Sequence, residues 1–253
     1  MVKIFNQDCK SLLHSIPWGT VNLFLQDVPF GITQQEWDIL PDFKNMWPLW
    51  EKVGAGNAAF VFFGSIDVIV SLVNTAPRGF KYYDLIWYKC LGSGHMNAKK
   101  RPMRNHEHII VFYKNPITYN PQKIKLKSPK KSYQSKDRNS TVYGRLGKDV
   151  KDRVVILDSK YPESVLNFSN GNRNNGNQHP NQKPINLIRY LVRTFSNKND
   201  LVFDGYLGSG TTAIACAIEE RNCIGAETNP HYYSIAKTRL EMVLNISEIK
   251  FPE

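Results

Sequence analysis

The sequence predicts an α/β fold in which a mostly parallel sheet carries helices on both faces, with its parts in permuted order around an inserted basic segment. Three observations lead there. First, Leu201-Val-Phe-Asp204 is a short apolar run ending in an acid. It is followed by the glycine-rich turn Gly205-Tyr-Leu-Gly-Ser-Gly210, a small-residue helix start at Thr211-Thr-Ala213, and a second run, Ile224-Gly-Ala-Glu227, that also ends in an acid. Strand, glycine turn, helix and strand-end acid at this spacing describe a nucleotide-binding βαβ half-unit. Second, apolar runs alternate with helical periodicity through the first half of the chain, as βαβ units require. Third, about forty residues follow Gly210, too few to complete a doubly wound sheet, so the other strands have to come from the N-terminal side.

The elements follow in order. Thr20–Leu25 reads as a buried strand, closed by the turn signal Asp27-Val-Pro-Phe-Gly31. A helix is expected over roughly Pro41–Lys52, a strand over Ala58–Gly64, a helix over Ile66–Asn74, and strands over Tyr82–Lys89 and His108–Tyr113. From Asn115 to Gln182 the periodicity dissolves: Pro116, Pro121, Pro129 and Pro162 interrupt it, and Ser169–Asn177 is a polar tract that cannot pack a core. Ile185, Leu187, Ile188, Leu191 and Val192 then recur at helical spacing, with Pro184 suited to a helix start. These readings divide the chain into a core of residues 1–114 and 179–253, with 115–178 as an inserted, partly flexible recognition region. No internal repeat is visible.

Composition bounds the function. With 253 residues, 42% hydrophobic and 22% charged, the chain can bury one full core and carry an insertion. No stretch approaches the roughly 18 apolar residues of a membrane span, and the N-terminus lacks a basic cap before an apolar run, so a soluble, cytoplasmic protein without membrane contact is expected. Cys9, Cys90, Cys216 and Cys223 form no Cys-x-x-Cys pair, and His106 and His108 lack a ligand cluster, so reduced thiols and no metal site are expected. Between Lys81 and Lys160 there are 19 Lys and Arg against 6 Asp and Glu, which contains all of the net charge of +11. Interleaved with aromatics and histidines in one region, that excess points to a polyanion surface rather than a uniformly solvated face. Trp37 and Trp87 read as core residues rather than base-stacking platforms.

Several of these segments, taken together, resemble amino-group DNA methyltransferases of the β class, which modify adenine N6 or cytosine N4. Asp27-Val-Pro-Phe30 is similar to their Asp-Pro-Pro-Tyr motif, and Phe203-Asp-Gly-Tyr-Leu-Gly-Ser-Gly-Thr211 to their cofactor loop. Catalytic motif first, recognition region in the middle and cofactor loop last is the β-class order. Asn6-Gln-Asp-Cys9, Trp87-Tyr-Lys89, Lys99–Glu107 and His179-Pro-Asn-Gln-Lys-Pro184 fall where that class would place matches, so the likeness runs from about Ile4 to Leu240.

The resemblance implies a Rossmann-like methyltransferase fold, S-adenosylmethionine as cofactor, S-adenosylhomocysteine as product, and double-stranded DNA as substrate. Dimerisation is common in the family, though no strip of this sequence identifies an interface. Among the cofactor residues, Glu227 at a strand end would accept the ribose hydroxyls and Gly208 and Gly210 would admit the backbone close to the ligand, within the stretch Gly205, Gly208, Ser209, Gly210 and Thr211. Asp204 would orient the methionine amino group, Asp8 and Cys9 would border the adenine ring, and Lys183 would lie near the methionine carboxylate.

Chemistry sets the demands on the catalytic motif. An exocyclic base amine is a poor nucleophile because its lone pair is delocalised into the ring, so a site must accept its hydrogens and aim the lone pair. Asp27 and the backbone carbonyl of Val28 would accept them, while Pro29 shapes the turn and Phe30 stacks on a flipped base. A leading Asp is typical of adenine enzymes and Ser of cytosine-N4 enzymes, which favours adenine. Lys89, Lys99, Lys100, Arg101 and Arg104 are the expected DNA contacts. The sequence departs from the family pattern in three places: Val28 replaces its first proline, Phe30 its tyrosine, and the cofactor loop reads Asp204-Gly-Tyr206 where many relatives have Asp-Pro-Phe. The glycine turn also satisfies the dinucleotide pattern of a nicotinamide enzyme, and a non-catalytic DNA-binding relative would share the scaffold; both are alternative readings.

Overall fold

The computed structural model describes residues 1–31, 39–134, 139–140, 144–145, 153–169 and 182–248. Trp37, residues 170–177 of the polar tract, and residues 179–181 of the His179–Pro184 segment lie outside the described residues. In chain order the elements are β1 (Val2–Phe5), α1 (Cys9–Ser15), β2 (Val21–Asp27), α2 (Phe43–Val53), β3 (Gly54–Gly64), α3 (Ile66–Thr75), β4 (Lys81–Ser93) and β5 (Arg104–Tyr113). They continue with β6 (Ile124–Gln134), β7 (Asn139–Ser140), β8 (Gly144–Arg145), β9 (Arg153–Lys160), β10 (Val165–Asn167), α4 (Ile185–Phe195), β11 (Leu201–Asp204), α5 (Thr211–Ile218), β12 (Asn222–Ala226) and α6 (Pro230–Glu248).

Contacts divide the chain into two units, residues 1–120 with 164–253, and residues 121–163. The larger unit holds an eight-stranded sheet in the order β1-β12-β11-β2-β3-β5-β4-β10. Every neighbouring pair is parallel except those of β5, which runs antiparallel to both β3 and β4. The reason is the length of the link: Gly94–Met103 is too short for a crossover helix, so β4 must fold back on β5 as a hairpin. Residues 115–120 and 164–167 fall inside the stretch read as an insertion, yet they belong to the larger unit, and β10 pairs with β4 as its edge strand.

Period-two burial on both faces explains why helices flank the sheet. In β3, Ala59, Val61 and Phe63 pack with Leu23, Leu25 and the inner faces of α4, α5 and α6, including Leu187, Leu191, Ala213 and Ala236. The alternate residues Ala58, Phe60 and Phe62 pack with Phe24 and with α1, α2 and α3, where Trp47 and Trp50 fill the layer. Trp47 and Trp50 meet edge to face at 5.4 Å, and Phe24 stacks on Phe60 at 4.5 Å. Side-chain caps start these helices: Asp8 accepts from Ser11 N at 3.0 Å, and Asp42 from Asn45 N at 3.3 Å. Trp87 is fully buried, as its core reading requires, and its indole N–H donates to the Phe168 carbonyl at 2.8 Å.

The smaller unit contains an antiparallel ribbon of β6 and β9, and β7 pairs with β8. Its register shifts between Lys125 and Lys130, a span that contains Pro129. The sequence reading gave no strand here because proline and a run of lysines masked the short apolar alternation. Lys125, Lys127, Lys130 and Lys131 are exposed on the ribbon.

Helix α5 begins at Gly210, whose φ of +87° is left-handed and whose Cβ, if present, would lie 2.9 Å from Ala236 Cβ on α6. Backbone conformation and helix packing therefore both require glycine. Gly210→Ala is expected to lower the free energy of unfolding by about 1–3 kcal/mol in urea titration; an unchanged midpoint would contradict that packing.

Candidate active site

From β11 the chain passes through α5 to β12 on one side, and from β2 through α2 to β3 on the other. Because β11 and β2 are parallel neighbours, the crevice at their carboxyl ends lies at the topological switch point, where doubly wound sheets bind ligands. Gln26 locks this junction. Its fully buried side chain donates to the Phe203 carbonyl at 2.7 Å and accepts from Gly205 N at 3.0 Å, which aligns Asp27 at the end of β2 with Asp204 at the end of β11.

One wall is built by the glycine turn. A Cβ on Gly205 would overlap the Cys9 sulfur, and Gly208 has φ +54°, so both require glycine. Glu227, just past β12, accepts from Gly208 N and Asn229 N, each at 2.8 Å, which fixes its carboxylate beside the turn. The Ser209 hydroxyl donates to Gln182 at 3.1 Å, and Arg239 on α6 braces the turn by donating to the Ser209 carbonyl. Asp204 is buried and accepts from Tyr206 N at 3.0 Å. Burial pushes its carboxyl up to about 7, against hydrogen bonds from Thr212 and Tyr206 that favour the ionised form; nearby Asp27 and Glu227 add to the rise.

The opposite wall holds the Asp27–Phe30 segment. Lys183, immediately before α4, donates to both carboxylate oxygens of Asp27 at 2.7 and 2.6 Å, and its ammonium lies 3.5 Å from Glu107 Oε2 on β5. Glu107 in turn pairs with Lys89 on β4. Two ammonium groups and two carboxylates thus alternate as Lys89, Glu107, Lys183 and Asp27. Burial opposes every charge in this row. For Glu107, Lys183 and Lys89 outweigh it and hold its carboxyl below the usual range; for Lys183, Asp27 and Glu107 do so and raise its pKa. Asp27 is left above its ordinary value, because burial and Glu107 prevail over Lys183. The Lys183 side chain is 8% exposed and that of Asp27 30%, so the acid faces open space while its partner does not. The Lys183 ammonium is also 5.8 Å from the Phe30 ring centroid, which sets the ring beside the acid.

Both walls line a cavity of about 870 Å³. It brings together Asp27, Val28, Pro29 and Phe30 with Asp8, Cys9, Lys183, Asp204, Gly205, Gly208, Ser209, Thr211 and Glu227, while Gly210 sits behind it at the start of α5. Lys183, expected at the cofactor's carboxylate, is committed to two protein carboxylates. Lys89, expected on DNA, is paired with Glu107 inside the cavity. Arg104 lines the rim, whereas Lys99, Lys100 and Arg101 are exposed between β4 and β5 and lie outside the cavity lining. Sequence reasoning missed Gln26, Glu107 and Arg239. A polar residue inside the apolar run Val21–Asp27 could have flagged Gln26; the other two carry no local signal.

A parallel sheet with a glycine turn and a strand-end acid at its switch point, facing a carboxylate–aromatic motif, defines the class of Rossmann-like methyltransferases. The sequence profile of the DNA methylase family matches residues 21–238. The chain therefore belongs to the N6/N4 family of DNA methylases, which take their methyl group from S-adenosylmethionine, and the nicotinamide reading is set aside. It is 27% identical over 266 residues to the type II methyltransferase M1.MboII of Moraxella bovis, covering 98% of both chains. Among solved structures it is similar to M1.HpyAVI in its SAM complex, with TM-score 0.61 and 21% identity over 95% of this chain and 100% of that one. It is also similar to the cytosine-N4-specific PvuII DNA methyltransferase, with TM-score 0.65 and 18% identity over 98% of this chain and 91% of that one. Among the described residues no group of His, Cys, Asp or Glu could hold a metal, and no helix is long and apolar enough to cross a membrane.

The residues present fit the cofactor. The glycine turn lines the cavity, Glu227 beside it has lone pairs left for hydroxyls, and the buried Asp204 carboxyl can meet a cationic group. If Asp204 meets the cofactor's ammonium, affinity for S-adenosylmethionine is expected to fall several-fold from pH 7.5 to pH 6, as Asp204 takes up a proton. Asp204→Asn is expected to bind more weakly and to lose that dependence; calorimetric titration reads both, and a pH-independent wild type would refute the assignment.

Proposed function

We propose that the protein methylates the exocyclic N6 amine of adenine in double-stranded DNA, with the base flipped out of the helix into the cavity. The observation that carries this reading is Asp27 at the end of β2, open to the cavity that the glycine turn also lines. Asp rather than Ser at this position is what the family resemblance associates with adenine.

Bound in the cavity, S-adenosylmethionine would supply a methyl group activated by its sulfonium, the bond to sulfur breaking as the bond to nitrogen forms. Within this reading Asp27 accepts one amine hydrogen, the Val28 backbone carbonyl accepts the other, and Phe30 stacks on the base. As the N–C bond forms the amine becomes cationic, and it then loses one proton to Asp27, whose raised pKa suits it to take a proton briefly and pass it to water. Glu227 would hold the ribose and Asp204 the ammonium, while Asp8 and Cys9 would border the adenine ring of the cofactor. Val28 lacks the ring of the family proline, but its side chain is 2% exposed and anchored in the apolar layer with Phe24 and Val68. Packing can therefore restrain the turn that proline would otherwise restrict, which favours an active enzyme over an impaired relative.

For DNA, the reading assigns phosphate contacts to exposed Lys99, Lys100, Arg101 and Arg104, and moves Lys89 into the cavity's charge row. The 121–163 unit, a basic two-stranded ribbon, has the form of an element that a major groove admits, so it is proposed as part of the recognition region. A cytoplasmic location and a homodimer complete the proposal, the latter on family likeness alone.

Mass spectrometry of nucleosides from plasmid DNA incubated with enzyme and S-adenosylmethionine is expected to detect N6-methyladenine; N4-methylcytosine instead would overturn the choice of base. Asp27→Ala is expected to reduce transfer at least a thousandfold while calorimetry still detects cofactor binding. Equal loss of both would make the residue structural. Replacing Lys99, Lys100 and Arg101 together with Ala is expected to flatten the slope of log affinity against log salt by about 2 to 3, and an unchanged slope would remove them from the phosphate interface.

A further inference from the structure

The row Lys89, Glu107, Lys183, Asp27 is more elaborate than holding a carboxylate requires. Burying four charges costs more than burying apolar groups of the same shape, so the row is a poor stabilising device. All four side chains border the cavity, and Asp27 is the most exposed of them, at 30%. Glu107 Oε2 is buried, 3.5 Å from the Lys183 ammonium. Lys183, in the segment before α4, pairs directly with the carboxylate at the end of β2, while Glu107 on β5 and Lys89 on β4 act on it through their charge.

We infer that Glu107 is a positioning residue for methyl transfer, anchoring the Lys183 ammonium against Asp27 and, through it, setting the pH at which Asp27 can accept the amine's proton. This rests on the methyl-transfer reading above. The geometry allows it: Lys183 binds both Asp27 oxygens, and each oxygen keeps a further lone pair for the amine. The charged groups acting on Asp27 are Lys183, Glu107 and Lys89, together with Asp204 at the end of β11. Removing one member changes the local charge with a definite sign. Without the Glu107 charge, Asp27 faces two uncompensated cations and loses its proton more easily. Without the Lys183 charge, Glu107 and Asp204 act on it against Lys89 only, and it holds its proton more tightly.

The test is the pH profile of single-turnover methyl transfer to unmethylated plasmid DNA, with cofactor binding measured in parallel. Glu107→Gln is expected to bind S-adenosylmethionine as the wild type does, to transfer about ten- to a hundredfold more slowly, and to move the acidic limb of the profile down by about one pH unit. Lys183→Gln is expected to move the limb up. The double variant should return it toward the wild-type position, and Glu107→Asp, which keeps the charge, should be slow but leave the limb in place. A limb that stays fixed in both single variants, or moves the same way in both, overturns the inference. Should Glu107→Gln fail to fold, Lys89→Gln reads the row from its outer end and should raise the limb. The Asp27 carboxyl carbon, followed by carbon-13 NMR and assigned by its loss in Asp27→Asn, reports the same displacements without turnover. Absence of transfer by the wild type would therefore sink the functional reading, whereas an Asp27 titration unmoved in Glu107→Gln and Lys183→Gln sinks this one.

Discussion

The site depends on one buried amide. Gln26 spans the gap between β2 and β11 with one bond to the Phe203 carbonyl and one from Gly205 N. Parallel pairing between these strands is short, with Val202 and Phe203 opposite Leu23 and Phe24, so the ladder stops before the residues that carry the chemistry. Without a further link the two strand ends would be free to splay. The Gln26 side chain continues the pairing by two hydrogen bonds past the end of the ladder, and an amide is the side chain for the task because it donates and accepts at once. Being fully buried, it cannot exchange these partners for water without leaving polar groups unsatisfied.

A second link closes the crevice from the other face. Gln182 accepts from Ser209 in the cofactor turn, and the next residue, Lys183, holds Asp27. Two consecutive side chains therefore connect the glycine-turn wall to the Asp27 wall, and helix α4 anchors both through Leu187, Ile188 and Leu191 in the core. Between them sits the charge row, whose net neutrality explains how it can exist in a buried place: each carboxylate has a cation on at least one side. Asp27, the more exposed of the row's two carboxylates, has a pKa raised by burial and by Glu107 against the pull of Lys183 and Lys89.

Much of this was legible in the sequence, and the limits have physical causes. Strands β2 and β3 and helices α3 and α4 could be read because buried central strands are continuous apolar runs and α4 keeps its apolar positions at helical spacing. The glycine turn was readable because its glycines answer steric demands: Gly205 abuts Cys9 and Gly210 is left-handed against Ala236. What stayed hidden depends on pairs distant in sequence. Lys183 and Asp27 are 156 residues apart, and nothing local to either shows that they meet. Glu107 carries no local signal either, since a strand acid reveals its purpose only through the cations packed around it. The antiparallel sense of β5 follows from a short link, but only once β4 and β5 are known to be neighbours.

The permuted order has a simple physical account. A sheet of this kind needs its central strands buried on both faces and its connections diverging at one place; neither condition specifies which strand the ribosome makes first. β2 lies beside β11 although 173 residues separate Asp27 from the start of β11, because Leu23 and Val202 share one apolar layer while Phe24 and Phe203 share the other. The 121–163 unit is inserted between β5 and β10, strands on the far side of β3 from β2 and β11. Length can be added there without disturbing the register that Gln26 fixes, so the inserted unit and the residues at the switch point are free to vary independently.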